Sequence, residues 1–221
     1  VHTSGELRSY SDIPKQGVIP EPKALELIRG YYAATSYTDA QLGRVLDAFD
    51  ELGLVENTIV VLWGDHGWNL GEHTLWCKHS CFETSMRAPL IVSAPMIDGV
   101  KTSEASKSLA EFIDIYPTLC DLVGLPKPDH LEGKSLLPVL KDPEATVRES
   151  AIGRFGKGET IRTDRYRYSV YRDGKGKQTG HMLYDHESDP AEDVNVADDP
   201  AYAEAVADLA RQLEDGRGKQ D

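Results

Sequence analysis

Residues 63–79 hold a dense group of side chains that could bind a metal or move a proton. Within fifteen residues of Asp65 the chain places two carboxylates, three imidazoles and a lysine: Asp65, His66, Glu72, His73, Lys78 and His79. Carboxylates and imidazoles serve as metal ligands and as general acids or bases, and a lysine binds anions. Three glycines would let the backbone bend tightly and bring these groups together: Gly64, Gly67 and Gly71.

Each part of this group also has an ordinary structural explanation. An Asp-His pair after a strand is most often a helix N-cap beside a structural histidine, and Glu72 with His73 alone would suit a solvated loop. The whole cluster, together with Trp68 and Trp76, favours a metal-binding or catalytic site, because exposing large aromatic side chains in a loop without a function is costly. The sequence therefore predicts a functional loop after Asp65.

The segments on either side of the loop predict strands of an α/β sheet. Residues 58–63 form a continuous, β-branched apolar run directly before the loop, and residues 89–94 form a second one. Such runs are typical of strands buried on both faces of a parallel sheet. Ligands of open α/β sheets gather beyond the carboxyl ends of the strands, which is where Asp65 stands.

Apolar spacing predicts two helices in the same part of the chain. The first begins at Pro22, ends near Gly53, and could be broken at Gly30 or Gly43; its apolar residues are Leu25, Ile28, Tyr32, Leu42, Val45, Leu46 and Phe49. The second covers residues 106–123 and has its own apolar series: Leu109, Phe112, Ile113, Tyr116, Leu119 and Val123.

Short alternating segments after residue 143 predict an antiparallel meander: 151–155, 159–163, 166–171 and 182–185. A helix over 200–214 closes the chain. We therefore expect an α/β protein with two parts. Residues 1–143 would form the back half of a large mixed sheet sandwiched by helices, and residues 144–221 a small antiparallel sheet with a packed C-terminal helix.

Composition narrows the classes of function. The chain has 221 residues, with 24 Lys and Arg against 37 Asp and Glu, so its net charge is −13. This acidity argues against binding to nucleic acid or to an anionic membrane, but a local basic pocket could still take a small anion. No apolar run reaches the length of a membrane helix. The three cysteines do not form a disulfide scaffold and are expected to be buried free thiols: Cys77, Cys81 and Cys120.

The segment 31–95 resembles the sulfatases of the alkaline-phosphatase superfamily, most closely iduronate-2-sulfatase and its bacterial relatives. The resemblance rests on Tyr31-Tyr32-Ala33-Ala34, Asp65-His66-Gly67-Trp68, Leu70-Gly71-Glu72-His73, Trp76 and Lys78. It continues through residues 112–119, 132–136, 161–168 and 183–185, and so covers nearly the whole chain.

The resemblance implies roles for five residues. Asp65 and His66 match two ligands of a divalent cation, which is usually Ca²⁺ in sulfatases. Many sulfatases have Asn where His66 stands, and Ca²⁺ prefers oxygen ligands, so the metal stays open here. Lys78 matches the lysine that holds the sulfate ester and is expected, with His73, to be catalytic; Trp68 and His73 would also line the loop that touches the leaving sugar. The implied substrate is a sulfated sugar of the glycosaminoglycan type.

Other features of the family are missing from the sequence. Sulfatases use a formylglycine made from the first residue of Cys/Ser-x-Pro-x-Arg, and none of the cysteines opens that motif; Ser93-Ala94-Pro95 has Ile97 in place of Arg. The early Asp-Asp metal pair is also absent. We therefore expect the C-terminal half of a sulfatase, which would need the N-terminal half as its partner and would be inactive alone. The polar start at Val1 fits a removed leader or a start within a larger protein.

Two other readings of the sequence stay open. The chain could come from a metal-dependent phosphohydrolase or phosphomutase of the same superfamily, although these need further His and Asp ligands downstream. It could also be a non-catalytic fragment or pseudoenzyme that serves as an interaction domain. In the second part of the chain, three arginines form a basic stretch that suits either a solvated strand face or a neighbour of the active site: Arg162, Arg165 and Arg167. His181 and His186 are interpreted as structural or exposed.

Overall fold

A computed structural model describes residues 5–217, and the chain divides into two compact units, Val1–Met96 and Ile97–Asp221. The domains expected from the sequence, 1–143 and 144–221, stay a prediction, and their outermost residues lie outside the described range. The fold is mixed α/β, as expected. Among the described residues, no helix is both long enough and apolar enough to cross a bilayer.

The first unit is built on one long helix. Its helices and strands are α1 (Gly5–Arg8), α2 (Glu21–Glu51), β1 (Val60–Trp63), β2 (Asn69–Leu70), β3 (Trp76–Cys77), α3 (Glu83–Met86) and β4 (Leu90–Ser93), with short 3₁₀ turns at Val55–Asn57 and Glu72–Thr74. Pro22 lies in the first turn of α2, where a missing N–H costs nothing. Gly53 takes the left-handed conformation, φ 66°, just after the end. The predicted bounds are confirmed, and the helix runs unbroken through Gly30 and Gly43.

The apolar face of α2 is not covered beyond its first turns within the described part of the chain. No residue of the helix is buried. Four residues of the predicted apolar series have large exposed fractions: Leu25 45%, Tyr32 61%, Val45 53% and Leu46 42%. The periodicity thus predicted the helix correctly, but among the described residues a core packs only against its first turns, at Ala24, Leu27 and Ile28.

Strands β1 and β4 correct the expected parallel pairing. They run antiparallel, with Val60 opposite Ser93 and Trp63 opposite Leu90. A parallel pair needs a crossover, usually a helix. The only α-helix between β1 and β4 is the four-residue α3, so the chain returns beside itself. The strands are also half-buried rather than fully buried, since Trp63 is 49% exposed.

A small apolar cluster fixes the start of the first unit to its functional loop. The buried members come from α1, the segment after it, and β3: Leu7, Ile13, Ile19, Trp76 and Cys77. Trp68 and Leu70 pack against this cluster. The loop therefore has a core beneath it, and Ala24, Leu27 and Ile28 of α2 pack against the same cluster.

The second unit contains the predicted meander. Strands β5 (Ser150–Phe155), β6 (Gly158–Thr163), β7 (Tyr166–Arg172) and β8 (Gln178–Asp185) form an antiparallel sheet in sequence order. After a 3₁₀ turn at Pro200–Tyr202, helix α6 (Ala203–Arg217) packs on the sheet. The core between them is apolar: Ile161, Tyr168, Val170, Leu183, Ala197, Leu209 and Leu213. The predicted sheet with a packed C-terminal helix is confirmed.

The helix predicted over 106–123 is shorter than expected. A 3₁₀ turn at Phe112–Asp114 leads into α4 (Ile115–Val123), and α5 (Leu137–Lys141) follows later. The side chain of Glu111 forms a capping box with Asp114 at the 3₁₀ turn, so the helical segment begins at this point and not at residue 106. Several residues of the apolar series are exposed here, namely Phe112, Ile113 and Tyr116, and the buried residues of α4 are Pro117, Thr118, Cys120 and Leu122.

A buried carboxylate connects the irregular segments of the second unit. Asp114 has 0% exposure and accepts hydrogen bonds from the backbone N–H groups of Glu111 (2.8 Å) and Lys134 (2.7 Å). The guanidinium of Arg148 donates to both carboxylate oxygens. Because every partner is a donor, the buried charge is compensated.

Candidate functional site

The predicted functional loop is a short hairpin that follows β1. Strands β2 and β3 pair antiparallel, with Asn69 opposite Cys77 and Leu70 opposite Trp76. Gly71 turns the chain between them with φ 119°, a conformation that only glycine adopts without strain. Asp65 and His66 thus precede the hairpin, and Lys78 and His79 follow it.

A buried polar network anchors the hairpin to α3. The amide of Asn69, fully buried, donates to the Cys77 carbonyl and to Ser85 Oγ, each at 2.7 Å. Thr84 Oγ1 donates to Asn69 Oδ1 at 2.6 Å. Ser80 and Ser85 share a further hydrogen bond of 2.6 Å. Buried polar groups with all their partners specify one arrangement of the chain, so this network sets the shape of the loop.

Gly67 is required by a close approach of two backbone segments. Its N–H donates to the Ser85 carbonyl at 2.8 Å. A Cβ at this position would lie 2.1 Å from the Thr84 carbonyl oxygen and 2.5 Å from that of Arg87. No larger residue fits at position 67 without moving α3. This close contact with α3 therefore fixes the backbone next to His66.

The side chains of Asp65 and His66, the two residues predicted to bind a cation, lie close together. His66 Nε2 lies 3.4 Å from Asp65 Oδ2. Two ligands at right angles around one ion, at about 2.1 and 2.4 Å, would be about 3.2 Å apart. His66 Nδ1 is 2.7 Å from the Gly67 carbonyl, which can only accept, so Nδ1 carries the proton. A histidine that donates from Nδ1 to a carbonyl in this way has Nε2 directed toward other partners, the arrangement found in metal-binding histidines.

Trp68 lies at the centre of an aromatic and cationic group. Its ring stacks with Tyr31 of α2, with centroids 5.9 Å apart and planes at 23°. It also stacks with His66, again at 5.9 Å, with planes at 27°. Lys78 Nζ lies 5.8 Å from the centroid of the indole. The structure therefore brings together three of the predicted site residues, His66, Trp68 and Lys78, and adds Tyr31, which sequence reasoning had placed only on a helix.

A lysine and a histidine after β3 lie beside a carboxylate from α1. Lys78 Nζ is 3.3 Å from Glu6 Oε1, and His79 Nε2 is 3.5 Å from Glu6 Oε2. Glu6 was missed by the sequence analysis, because no local pattern connects it to residues more than seventy positions later. The carboxylate of Glu6 therefore lies against Lys78, the residue that was predicted to bind an anion.

His73 is held in a different way. Its backbone is left-handed, φ 52° and ψ 23°, and Thr74 and Cys77 also have positive φ. Its ring stacks on Phe82 with centroids only 3.8 Å apart and planes at 8°. Non-glycine residues in this conformation are strained and cluster at functional sites. Its predicted role beside a substrate stays a prediction, since its ring contact is with Phe82 and not with the other site residues.

Cys77 is not a plausible nucleophile. Burial, followed by the charge of Glu6, raises the pKa of its thiol, so it stays protonated near neutral pH. Cys77, Cys81 and Cys120 are all buried and free, as expected.

The weaker candidates of the second unit belong to buried or partly buried ion pairs. Arg167 is 3% exposed and its Nε lies 2.8 Å from Glu192 Oε1, so the solvated-face interpretation is wrong for this residue. His186 Nε2 lies 2.8 Å from the same Glu192 oxygen. Arg165 forms a two-pronged pair with Asp185, at 2.9 and 2.6 Å. The contact of His186 with Glu192 fits the interpretation of this histidine as structural.

Comparison with known proteins identifies the family. The Sulfatase family profile matches residues 6–125, and the profile described as N-sulphoglucosamine sulphohydrolase, C-terminal, matches residues 71–219. A sulfatase of Formosa agariphila is 38% identical over 189 residues, which are 85% of this chain and 36% of that protein. Arylsulfatase K of Bos taurus is 32% identical over 219 residues, 92% of this chain and 39% of that protein.

Mouse iduronate 2-sulfatase is 35% identical over 134 residues, 51% of this chain and 24% of that protein. Among solved structures, BT4656 in complex with its substrate D-glucosamine-2-N,6-O-disulfate has a TM-score of 0.82 and 26% identity, covering 97% of this chain and 44% of that one. The phosphonate monoester hydrolase SpPMH from Silicibacter pomeroyi has a TM-score of 0.72 and 27% identity, covering 82% and 38%. The chain thus spans well under half of the length of these relatives. This chain belongs to the sulfatase family, because the two family profiles together match most of its residues.

Proposed function

We propose that this chain forms part of a sulfuric ester hydrolase that removes sulfate from a sulfated sugar. The observation that carries the proposal is the joining of His66, Trp68 and Lys78 in one loop directly after β1, with Asp65 beside His66. Three chemical requirements of sulfate-ester hydrolysis would be served there: a cation site, an anion contact and an aromatic wall. The relatives whose names mention sulfated sugars support the choice of substrate class.

Asp65 and His66 would hold a divalent cation, for which we propose Ca²⁺. One carboxylate oxygen and one imidazole nitrogen 3.4 Å apart fit the edge of a coordination shell. Bound there, the cation would supply charge stabilisation of the sulfate oxygens. Other ligands would have to come from outside the two residues, since Ca²⁺ takes about 6–8 oxygens.

Lys78 would bind the sulfate group by a charge-assisted hydrogen bond. Its ammonium lies beside the Trp68 ring, which narrows the directions it can take. An electrostatic contact of this kind lowers the barrier when it strengthens as negative charge moves onto the leaving oxygen. Trp68 and His73 would face the leaving sugar, whose apolar ring faces suit an aromatic surface.

The nucleophile and the remaining metal ligands would come from the N-terminal half of the sulfatase fold. None of the 221 residues opens a Cys/Ser-x-Pro-x-Arg motif. The uncovered apolar positions of α2 and the half-exposed β1 and β4 are the surfaces on which this half would pack. Covering them would bury apolar area, the main driving force of association.

Binding of a sulfated monosaccharide tests the proposal without turnover. Titration of the chain with glucosamine 6-sulfate in the presence of Ca²⁺, followed by NMR, should shift the signals of Trp68 and Lys78 in a saturable way. Unsulfated glucosamine should not, and Lys78→Ala should weaken the response; the matched variant Lys101→Ala, at an exposed lysine of the second unit, should not. Equal binding of both sugars would exclude Lys78 as a sulfate contact.

A phosphonate or phosphate ester is the second candidate substrate. It is favoured by the likeness to a phosphonate monoester hydrolase, at a TM-score of 0.72. The same titration with glucosamine 6-phosphate distinguishes the two, because a dianionic phosphate would bind more tightly than the monoanionic sulfate at a site selected for phosphoryl groups. The third reading, a non-catalytic interaction domain, predicts that neither ester binds at the loop.

A further inference from the structure

One carboxylate of α1 lies beside a lysine and a histidine of the functional loop. Glu6 Oε1 is 3.3 Å from Lys78 Nζ, and Glu6 Oε2 is 3.5 Å from His79 Nε2. The three side chains are partly buried, with exposed fractions of 28%, 32% and 37%. A single carboxylate therefore lies between the Lys78 ammonium and the His79 imidazole, where an oxyanion ligand could also be received.

The position of Glu6 is fixed by its neighbours in α1. Leu7 is 6% exposed and belongs to the apolar cluster that contains Trp76 and Cys77. Arg8 donates from its guanidinium to the carbonyls of Pro14 and Gly17, each at 2.5 Å. The short helix is thus attached by the two residues that follow Glu6, so the carboxylate is presented to Lys78 by the fold.

The carboxylate is not fully satisfied at this place. Among the described residues, the buried Oε2 accepts no hydrogen bond, and His79 Nε2 lies 3.5 Å from it. A buried acceptor without a hydrogen bond loses hydration without full compensation. An incoming group with more oxygen atoms could accept hydrogen bonds from Lys78 without leaving a buried acceptor of this kind.

We infer that Glu6 is an internal competitor for the anion site and occupies Lys78 and His79 until a sulfate group displaces it. The inference rests on the proposed role of Lys78. A carboxylate and a sulfate group both accept charge-assisted hydrogen bonds from the same donors. Two anions within about 4 Å of each other repel, so both cannot stay at Lys78. Glu6 would thereby weaken the binding of small anions and favour release of the sulfate product.

Inorganic sulfate is the probe for this inference. The ¹⁵N-labelled 221-residue chain is titrated with sodium sulfate at constant ionic strength, and dissociation constants are taken from the signals of Lys78 and His79. In Glu6→Gln the affinity for sulfate should rise about three- to tenfold, because a repulsive charge is removed from a partly buried pair. The matched control Glu26→Gln makes the same change in net charge at an exposed pair with Lys23 and should stay within about twofold of the wild type.

A measurement on the unmodified chain keeps the test valid if Glu6→Gln does not fold, as judged by near-UV circular dichroism. The ¹³Cδ signal of Glu6 should move with added sulfate and give the same dissociation constant as Lys78. If sulfate moves Lys78 but leaves the Glu6 carboxyl unchanged, or if Glu6→Gln binds sulfate no more tightly, the competitor role is wrong. If sulfate moves neither Lys78 nor His79 in either protein, the assignment of Lys78 as the sulfate contact fails as well.

Discussion

Replacing Gly67 by alanine should destabilise the first unit strongly. The added Cβ would lie 2.1 Å from the Thr84 carbonyl oxygen. An ordinary C···O contact is about 3.3 Å, so the two segments must separate by about 1.2 Å. This displacement stretches the 2.8 Å hydrogen bond from the Gly67 N–H to Ser85 beyond its useful range.

The magnitude follows from two costs. Losing a buried hydrogen bond costs about 1–3 kcal/mol, and overpacking costs about 1–3 kcal/mol. We expect the free energy of unfolding to fall by about 3 kcal/mol in Gly67→Ala. The matched control is Gly30→Ala, in the exposed middle of α2, where a Cβ meets nothing within 4 Å. This change should raise the stability by about 0.5–1 kcal/mol, because alanine favours the helix.

Urea denaturation followed by tryptophan fluorescence measures both variants. All three tryptophans, Trp63, Trp68 and Trp76, lie in the first unit, so the signal reports on the part of the chain that carries Gly67. The reasoning would be refuted if Gly67→Ala lost less than about 0.5 kcal/mol while Gly30→Ala gained stability as expected.

Three further predictions concern activity, metal binding and pH. The 221-residue chain should not hydrolyse 4-nitrophenyl sulfate above the buffer rate, because covalent catalysis needs the missing nucleophile; metal-dependent release of nitrophenol by homogeneous protein would contradict this. Ca²⁺ should bind only weakly, since Asp65 and His66 supply two ligands; calorimetry that finds sub-micromolar affinity, lost in Asp65→Ala, would disprove it. The Arg165 guanidinium lowers the pKa of Asp185 below its ordinary 3.8, so the unfolded state takes up the proton first and stability is lost as the pH falls below about 4. Acid unfolding of the second unit should therefore be less steep in Asp185→Asn than in the wild type, whereas Asp198→Asn, at an exposed carboxylate, should keep the wild-type slope.

Local sequence patterns predicted those helices and strands that are stabilised by contacts within the element or with the next element along the chain. The alternation in β5 to β8 and the spacing of Leu209 and Leu213 gave the sheet and its packed helix, because each strand pairs with the next along the chain. Pro22 and Gly53 gave the ends of α2. In contrast, the apolar run of β1 holds no information on the direction of its partner, which depends on how residues 64–89 return.

The candidate site was predictable only in its contiguous part. The residues from Asp65 to Lys78 lie in or beside one short hairpin, and the structure brings His66, Trp68 and Lys78 together there. Glu6 and Tyr31 reach the same place through α1 and α2, and no spacing rule connects them to the loop. Asn69 was also missed, since a single Asn between Trp68 and Leu70 has no sequence mark of being fully buried.

The carboxylate of Asp114 has a consequence for how the second unit opens. Between Gly124 and Ser150 the only regular element is α5, so few amides there are protected by a helix or a sheet. Hydrogen bonds from Glu111 and Lys134, and the two-pronged contact of Arg148, converge instead on one side chain. Amide exchange in these distant segments should then occur in a single concerted event, with one protection factor for positions more than twenty residues apart in sequence.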